Sequence, residues 1–295
     1  MTELRNIPKP QLDARQLGAR RIPALIDDGL ARATGVRIAF TGRAGGVSAP
    51  PYDELNLGSH VGDDRAAVDA NRARVLEALG VPAAKLIVPN QVHGTKGVQV
   101  VACDQESLSR AAAQAAEGAD YLAVEVADVA AMLCFADCVP VIVVSPTGRF
   151  AVAHAGWRGA VARITSKAVA SLARLDRREL GAGAAQWYNA YIGPHIRSEC
   201  FECGAEVVQA FRQEFGDVAI ADACHVDLAA AVSADLLSAG VQLDRIADAG
   251  ICTRCRSEEF YSYRASGGMC GRHAAVAVRA SRACEMDDAP VNYRV

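Results

Sequence analysis

Apolar positions along this chain switch between two periods, and each switch predicts an element. Asp63-Asp64 offers a helix cap, Val68, Val75, Leu76 and Leu79 then share a helical face, and Gly80 with Pro82 ends the run. Residues 85–88 and 98–102 read as strands, and the alanine-rich stretch 107–116 reads as a helix with a poor cap signal. In the middle, residues 130–135 and 139–144 are short apolar, β-branched runs. The turn Ser145-Pro146-Thr147-Gly148 then joins the second run to 150–153, which predicts a hairpin. Helical spacing returns over 159–175 at Val161, Ile164, Ala168 and Leu172. A strand at 188–192, helices at 204–215 and 228–239 and a last strand at 274–279 complete the series. The first 36 residues carry less pattern, with a short helix predicted over 12–30. The organisation is a mixed α/β domain over 37–295, preceded by a variable extension over 1–36.

With 295 residues, 51% apolar and 22% charged, the chain can build a sizeable core. A net charge of −3 without a basic cluster on any predicted helix argues against nucleic acid as a partner. Aromatics at 5% are also too sparse for stacking on single strands. The first ten residues hold no apolar signal segment. The longest apolar run, 129–146, is broken by Asp137, Pro140 and Ser145, short of the ~18 residues a membrane span needs. The expectation is a cytoplasmic protein with no membrane partner, and the sequence sets no oligomeric state. Ten cysteines in 295 residues are below the density of a small disulfide scaffold, so they read as reduced thiols, ligands or core residues.

Three segments carry the candidate chemistry: Asn90-Gln91-Val92-His93-Gly94, Ala136-Asp137-Cys138 and His154-Ala155-Gly156-Trp157-Arg158-Gly159. Each sits where an apolar run gives way to a loop, and each offers one soft or borderline ligand: His93, Cys138 and His154. Two imidazoles and a thiolate are a tetrahedral zinc set lacking its fourth member, which a catalytic site keeps open for water or substrate. Their separations of 45 and 16 residues are too long for a finger-type site and suit one assembled from separate strands. The third segment also leads into a predicted helix, whose first turn favours an anion, with Arg158 adding a fork of donors for phosphate. Cys200-x-x-Cys203 and Cys252-x-x-Cys255 have the spacing of a four-cysteine zinc site, set against buried thiols or a redox-sensitive cluster. His60 could line a pocket. Trp157 and Tyr263 could stack on a base, although core packing is the ordinary use of either residue.

These segments resemble the signature of the YfiH-like family, whose members are named polyphenol oxidase or laccase-domain proteins, purine nucleoside phosphorylase and peptidoglycan editing factor. The likeness continues in Phe40 to Ser48, Leu55-Asn56-Leu57-Gly58, Val61 to Asp64, Ile192-Gly193-Pro194, Cys252-Thr253, Tyr261-Ser262-Tyr263-Arg264 and Gly271-Arg272. Cys203 and Cys270 look like departures from it. The resemblance implies a four-layer α/β/β/α sandwich with mixed sheets (CNF/YfiH-like, shared with a bacterial cytotoxic deamidase). It implies zinc at His93, Cys138 and His154, with copper possible in vitro. It implies phosphorolysis of adenosine, inosine, guanosine and methylthioadenosine with some adenosine deamination, so that purine nucleosides and phosphate are the partners. Arg43, Arg158, Arg264 and Gln91 become candidates for substrate or phosphate contact, and Asp137 joins Cys138, His93 and His154 as a candidate catalytic group. A cysteine hydrolase with Cys138 as nucleophile, serving peptidoglycan-precursor editing, is the alternative. Weak copper-dependent phenol oxidation is a poorer one, because multicopper centres use His-x-His pairs and this chain has none. A non-catalytic metal- or redox-responsive binding protein is a further class.

Overall fold

The computed structural model describes residues 7–281. Strands β1 (Asp13–Leu17) and β2 (Ile22–Ile26) form an antiparallel hairpin, followed by helix α1 (Asp28–Thr34) and strand β3 (Val36–Thr41). The helix predicted over 12–30 is therefore corrected. Ile22, Ala24 and Ile26 alternate inward with period two and pair edge to edge, and only Asp28 onward is helical. Helix α2 (Arg65–Ala78) starts at Asp64, whose side chain accepts from the Ala66 N–H, and buries Val68, Val75 and Leu76 as the spacing predicts.

Strands β4 (Lys85–Ile87) and β5 (Gly97–Val100) bracket the loop that carries His93. Helix α3 (Gln105–Ala116) has the cap the sequence hid: Asp104 accepts from the Ser107 N–H at 2.9 Å. Strands β6 (Tyr121–Val124), β7 (Val129–Phe135), β8 (Val139–Val144) and β9 (Phe150–Ala155) follow. The single helix expected over 159–175 is two, α4 (Trp157–Val161) and α5 (Ile164–Leu180), because Arg163 turns left-handed at φ 57° between them. The remaining elements are β10 (Asn189–Ile192), α6 (Ala205–Phe215), α7 (Leu228–Ser238), β11 (Ile246–Asp248) and β12 (His273–Arg279).

Two six-stranded sheets result, ordered β1-β2-β3-β12-β7-β4 and β11-β10-β8-β9-β6-β5. Each mixes parallel and antiparallel pairs. Period-two alternation gives the inner strands β3, β7, β8 and β9 two buried faces. On β7, Leu133 and Phe135 point between the sheets, while Met132 and Cys134 point toward α2. On β8, Ile142 and Val144 point between the sheets, and Val141 and Val143 meet α5, α6 and α7. Helix, sheet, sheet and helix thus stack in four layers around three apolar clusters. The chain crosses from the first sheet to the second twice near the middle, between β4 and β5 and between β7 and β8. Both crossings carry candidate ligands.

Candidate active site

The β7–β8 crossing is the short turn Ala136-Asp137-Cys138, and the β4–β5 crossing holds His93 at φ 59°. His154 lies on β9, paired with Pro140 of β8, so the hairpin places it beside the Cys138 turn. The ligand atoms of His93, Cys138 and His154 all fall within 4.8 Å of one another, and the two imidazoles meet edge to face at 4.7 Å. The three side chains singled out in the sequence converge.

One carboxylate, missed at the level of sequence, organises the group. Asp120 is buried at the start of β6 and accepts from His154 Nδ1 at 2.8 Å. It also collects the backbone N–H groups of Val92, His93 and Gly94 at 3.3, 3.0 and 2.7 Å. One side chain therefore pins both histidine segments and leaves Nε2 of His154 as its ligand atom, the carboxylate–histidine arrangement found behind metal ligands. The only cue in the sequence was an Asp directly before an apolar run. Gly156 supplies the space: a Cβ there would stand 2.7 Å from His93 Cδ2 and 3.2 Å from Cys138 Sγ.

The electrostatics follow from this packing. Burial alone would push the Cys138 thiol up, but the His154 charge and hydrogen bonds from both imidazoles outweigh it and hold the thiol at about 6. Burial alone would push His154 down, but the Cys138 thiolate and Asp120 raise it to about 9. Asp120 is lowered despite its burial, by His154 and by the N–H groups it accepts. The shifts run in the direction that favours a thiolate on Cys138 and a proton on His154, with the Asp120 carboxylate behind it.

The three ligands open onto a cavity of about 390 Å³. Ile196, Phe201 and Leu228 form an apolar wall, and Trp157 and Tyr263 present rings. Gln91 lines the floor, where its amide exchanges two 2.8 Å hydrogen bonds with the backbone of Cys134. Asp137 also lines the cavity. Its two carboxylate oxygens accept from Thr253 Oγ1 at 2.6 Å and from the Arg264 N–H at 2.9 Å. His60 also lines the cavity, where desolvation and then the charges of Arg272 and Arg72 lower its pKa.

The arginines divide. Arg264 and Arg272 line the cavity, and Arg272 was not singled out from sequence for contact with substrate. Arg43 and Arg158 are outside that lining. Arg43 spends its guanidinium on the carbonyls of Asp53 and Ser257 and lies 4.8 Å over the Tyr261 ring. Arg158 is exposed and stacks 4.4 Å from the Trp157 ring on α4, a helix of five residues in place of the long one expected there.

The four-cysteine set is also rearranged. Cys200, Cys252 and Cys255 cluster with Glu199. Cys203 instead bonds through its N–H to the Cys224 carbonyl at 2.8 Å, because the chain turns after Cys200 to start α6. Among the described residues no helix is long and apolar enough to cross a membrane.

Comparison with known proteins extends the picture. Residues 37–280 match the family model described as multi-copper polyphenol oxidoreductase laccase. A protein named purine nucleoside phosphorylase from Deinococcus radiodurans is 38% identical over 243 residues, covering 81% of this chain and 87% of that protein. Adenosine deaminase RL5, from an unknown prokaryotic organism, is 35% identical over 234 residues, covering 75% of this chain and 85% of the relative. The crystal structure of YlmD from Geobacillus stearothermophilus superposes with a TM-score of 0.76 at 31% identity, covering 91% of this chain and all of that one.

Proposed function

The chain belongs to the multi-copper polyphenol oxidoreductase laccase family, and from that membership and the shape of its cavity we propose that it acts on purine nucleosides, as a phosphorylase that also deaminates adenosine. The observation that carries the reading is the meeting of His93, Cys138 and His154 on one accessible cavity with two arginines and an apolar, ring-bearing wall.

A thiolate and two imidazoles suit a borderline divalent cation such as zinc, and Gly156 keeps the room beside them clear. His93, Cys138 and His154 would hold that ion, which would supply Lewis-acid polarisation and an open coordination position. Among the described residues this is the one ligand group that pairs two histidines, too few imidazoles for a centre of several coppers.

The rest of the work falls to the chain. Trp157 and Tyr263 offer faces to a purine, and Ile196, Phe201 and Leu228 exclude water from one side of it. Arg264 and Arg272 offer fork-shaped donors to phosphate oxygens. Arg43, with its donors already taken, is not assigned to the anion. Asp137 positions Arg264 by accepting its backbone N–H. In phosphorolysis a phosphate oxygen bonds to the anomeric carbon, the bond from that carbon to the base nitrogen breaks, and the proton given up by phosphate ends on the base. His60, exposed and lining the same cavity, is the side chain we assign to carry that proton. In deamination water adds at the amino-bearing carbon and ammonia departs.

Incubation with adenosine and inosine, with and without phosphate, tests the reading once the products are resolved. Free base and ribose 1-phosphate should appear only with phosphate, and inosine should form from adenosine in either case. No base and no dependence on phosphate would reject the phosphorylase.

One observation favours a second reading. Cys138, His154 and Asp120 stand in the order of a nucleophile, its base and the carboxylate that orients the base, with the thiol already at about 6. A cysteine hydrolase would keep its activity in a chelator and lose it on thiol alkylation, whereas the favoured enzyme would lose activity in both.

A further inference from the structure

Next to segments that line the cavity, but outside the lining itself, stands a second group of soft donors that the nucleoside chemistry does not use. Glu199, Cys200, Cys252 and Cys255 bring one carboxylate oxygen and three sulfurs within 4.8 Å of one another. Cys200 and Cys252 are buried, while Glu199 and Cys255 face solvent and leave a route of entry. We infer that this quartet is a structural site for a thiolate-favouring divalent cation of the zinc class, clipping together two loops of the cavity wall.

Four donors from four residues make a closed tetrahedral set, the kind that structural zinc occupies, in contrast to the three that open onto the cavity. The Sγ atoms of Cys200 and Cys255 are 3.4 Å apart. Two thiolates on one zinc, each bonded at about 2.3 Å, stand about 3.8 Å apart. A disulfide would bring the sulfurs to about 2.05 Å and would leave Cys252 and Glu199 without a role. The Arg197 N–H donates to Cys252 Sγ at 3.5 Å, the outer contact that steadies a thiolate. On loading, each thiol that binds loses its proton to solvent as its sulfur–metal bond forms.

The clip has something to hold. Cys200 lies between Ile196 on one side and Phe201 and Glu202 on the other, and Ile196 and Phe201 line the cavity. The segment with Cys252 and Cys255 contains Thr253, which donates to Asp137, and runs on to Tyr263 and Arg264. Arg264 reaches back to the carbonyls of Cys200 and Glu202 at 3.5 and 3.1 Å. Fixing Cys200 to Cys252 and Cys255 therefore fixes the wall that carries Arg264.

Metal counting on the intact chain tests the site separately from any turnover. Wild-type protein prepared with zinc is expected to hold two equivalents, and Cys255→Ser and Cys138→Ala one each. Cobalt(II) provides a reading that removes no ligand of the quartet: loaded into Cys138→Ala, it should give an intense sulfur-to-metal charge-transfer band from several thiolates. Three results would overturn the site: a metal count that Cys255→Ser does not lower, no thiolate band in Cys138→Ala, or wild-type protein two hydrogens lighter with Cys200 joined to Cys255 and one equivalent of metal.

Discussion

The cavity trio and the thiol quartet use similar donors for opposite ends. His93, Cys138 and His154 come from three segments, the two histidine ones tied together by one buried carboxylate, and they face a cavity of about 390 Å³. Glu199, Cys200, Cys252 and Cys255 come from two loops, and nothing in the cavity lining includes them. Three donors held rigidly from behind leave a position free for chemistry, whereas four donors from facing loops use every position and can only fasten. The supports differ as well: Asp120 is a charged buried partner, whereas the support given to Cys252 is a backbone N–H.

Substitutions should separate the two regions, and the largest effect belongs to His154. His154→Ala removes a ligand and strands the Asp120 carboxylate without its imidazole, so nucleoside turnover should fall by about a hundredfold or more. Cys255→Ser, assayed alongside, should cost far less turnover while losing a metal equivalent and thermal stability. Equal losses of turnover in both would erase the distinction. Next in size, Asp120→Asn keeps the shape but gives up the charge, and zinc affinity at the trio should drop about 10- to 100-fold. Competition against a chelator of known strength would measure it, and an unchanged affinity would remove Asp120 from its organising role.

A smaller contrast compares two glycines. At Gly156 an added methyl meets His93 Cδ2 at 2.7 Å within a rigid group, so Gly156→Ala should weaken zinc binding at the trio by about tenfold while melting temperature stays close to wild type. At Gly204, just beyond the quartet, the nearest atoms an added methyl would meet belong to the movable Glu206 carboxylate, so Gly204→Ala should leave both metal counts unchanged. The smallest effect lies between the regions. His273 packs edge-on to Phe260 at 5.6 Å, in the segment from Cys255 to Tyr263, and burial and then Arg272 push it down to about 3. The unfolded chain takes a proton there near 6.5 and the folded chain resists to about 3, so stability should fall as pH drops below about 6.5. Melting curves of His273→Gln should show a shallower acid decline, and an identical slope would assign the decline to other groups.

Much of the fold was legible because buried strands and amphipathic helices write their periods directly: the 139–144 and 150–153 runs pair as β8 and β9 in the expected hairpin. The hairpin over 13–26 was read as a helix because its strands are short and partly polar, and its pairing with β3 lies in tertiary contact. The trio was legible because glycine-bearing turns and scarce residue types marked it. Asp120 was not, since its partners come from residues 92–94 and 154 and no local spacing links them. The cysteine hooks were visible, but which sulfurs meet depends on where α6 begins, and that turned Cys203 away and let Glu199 in.

The most direct test is phosphate-dependent release of free base from inosine, measured side by side for wild-type protein and Cys138→Ala at matched folding. Base and ribose 1-phosphate should appear in equal amounts from the wild type and fall to background in the variant. Comparable release from Cys138→Ala would show that the chemistry does not occur where His93, Cys138 and His154 meet.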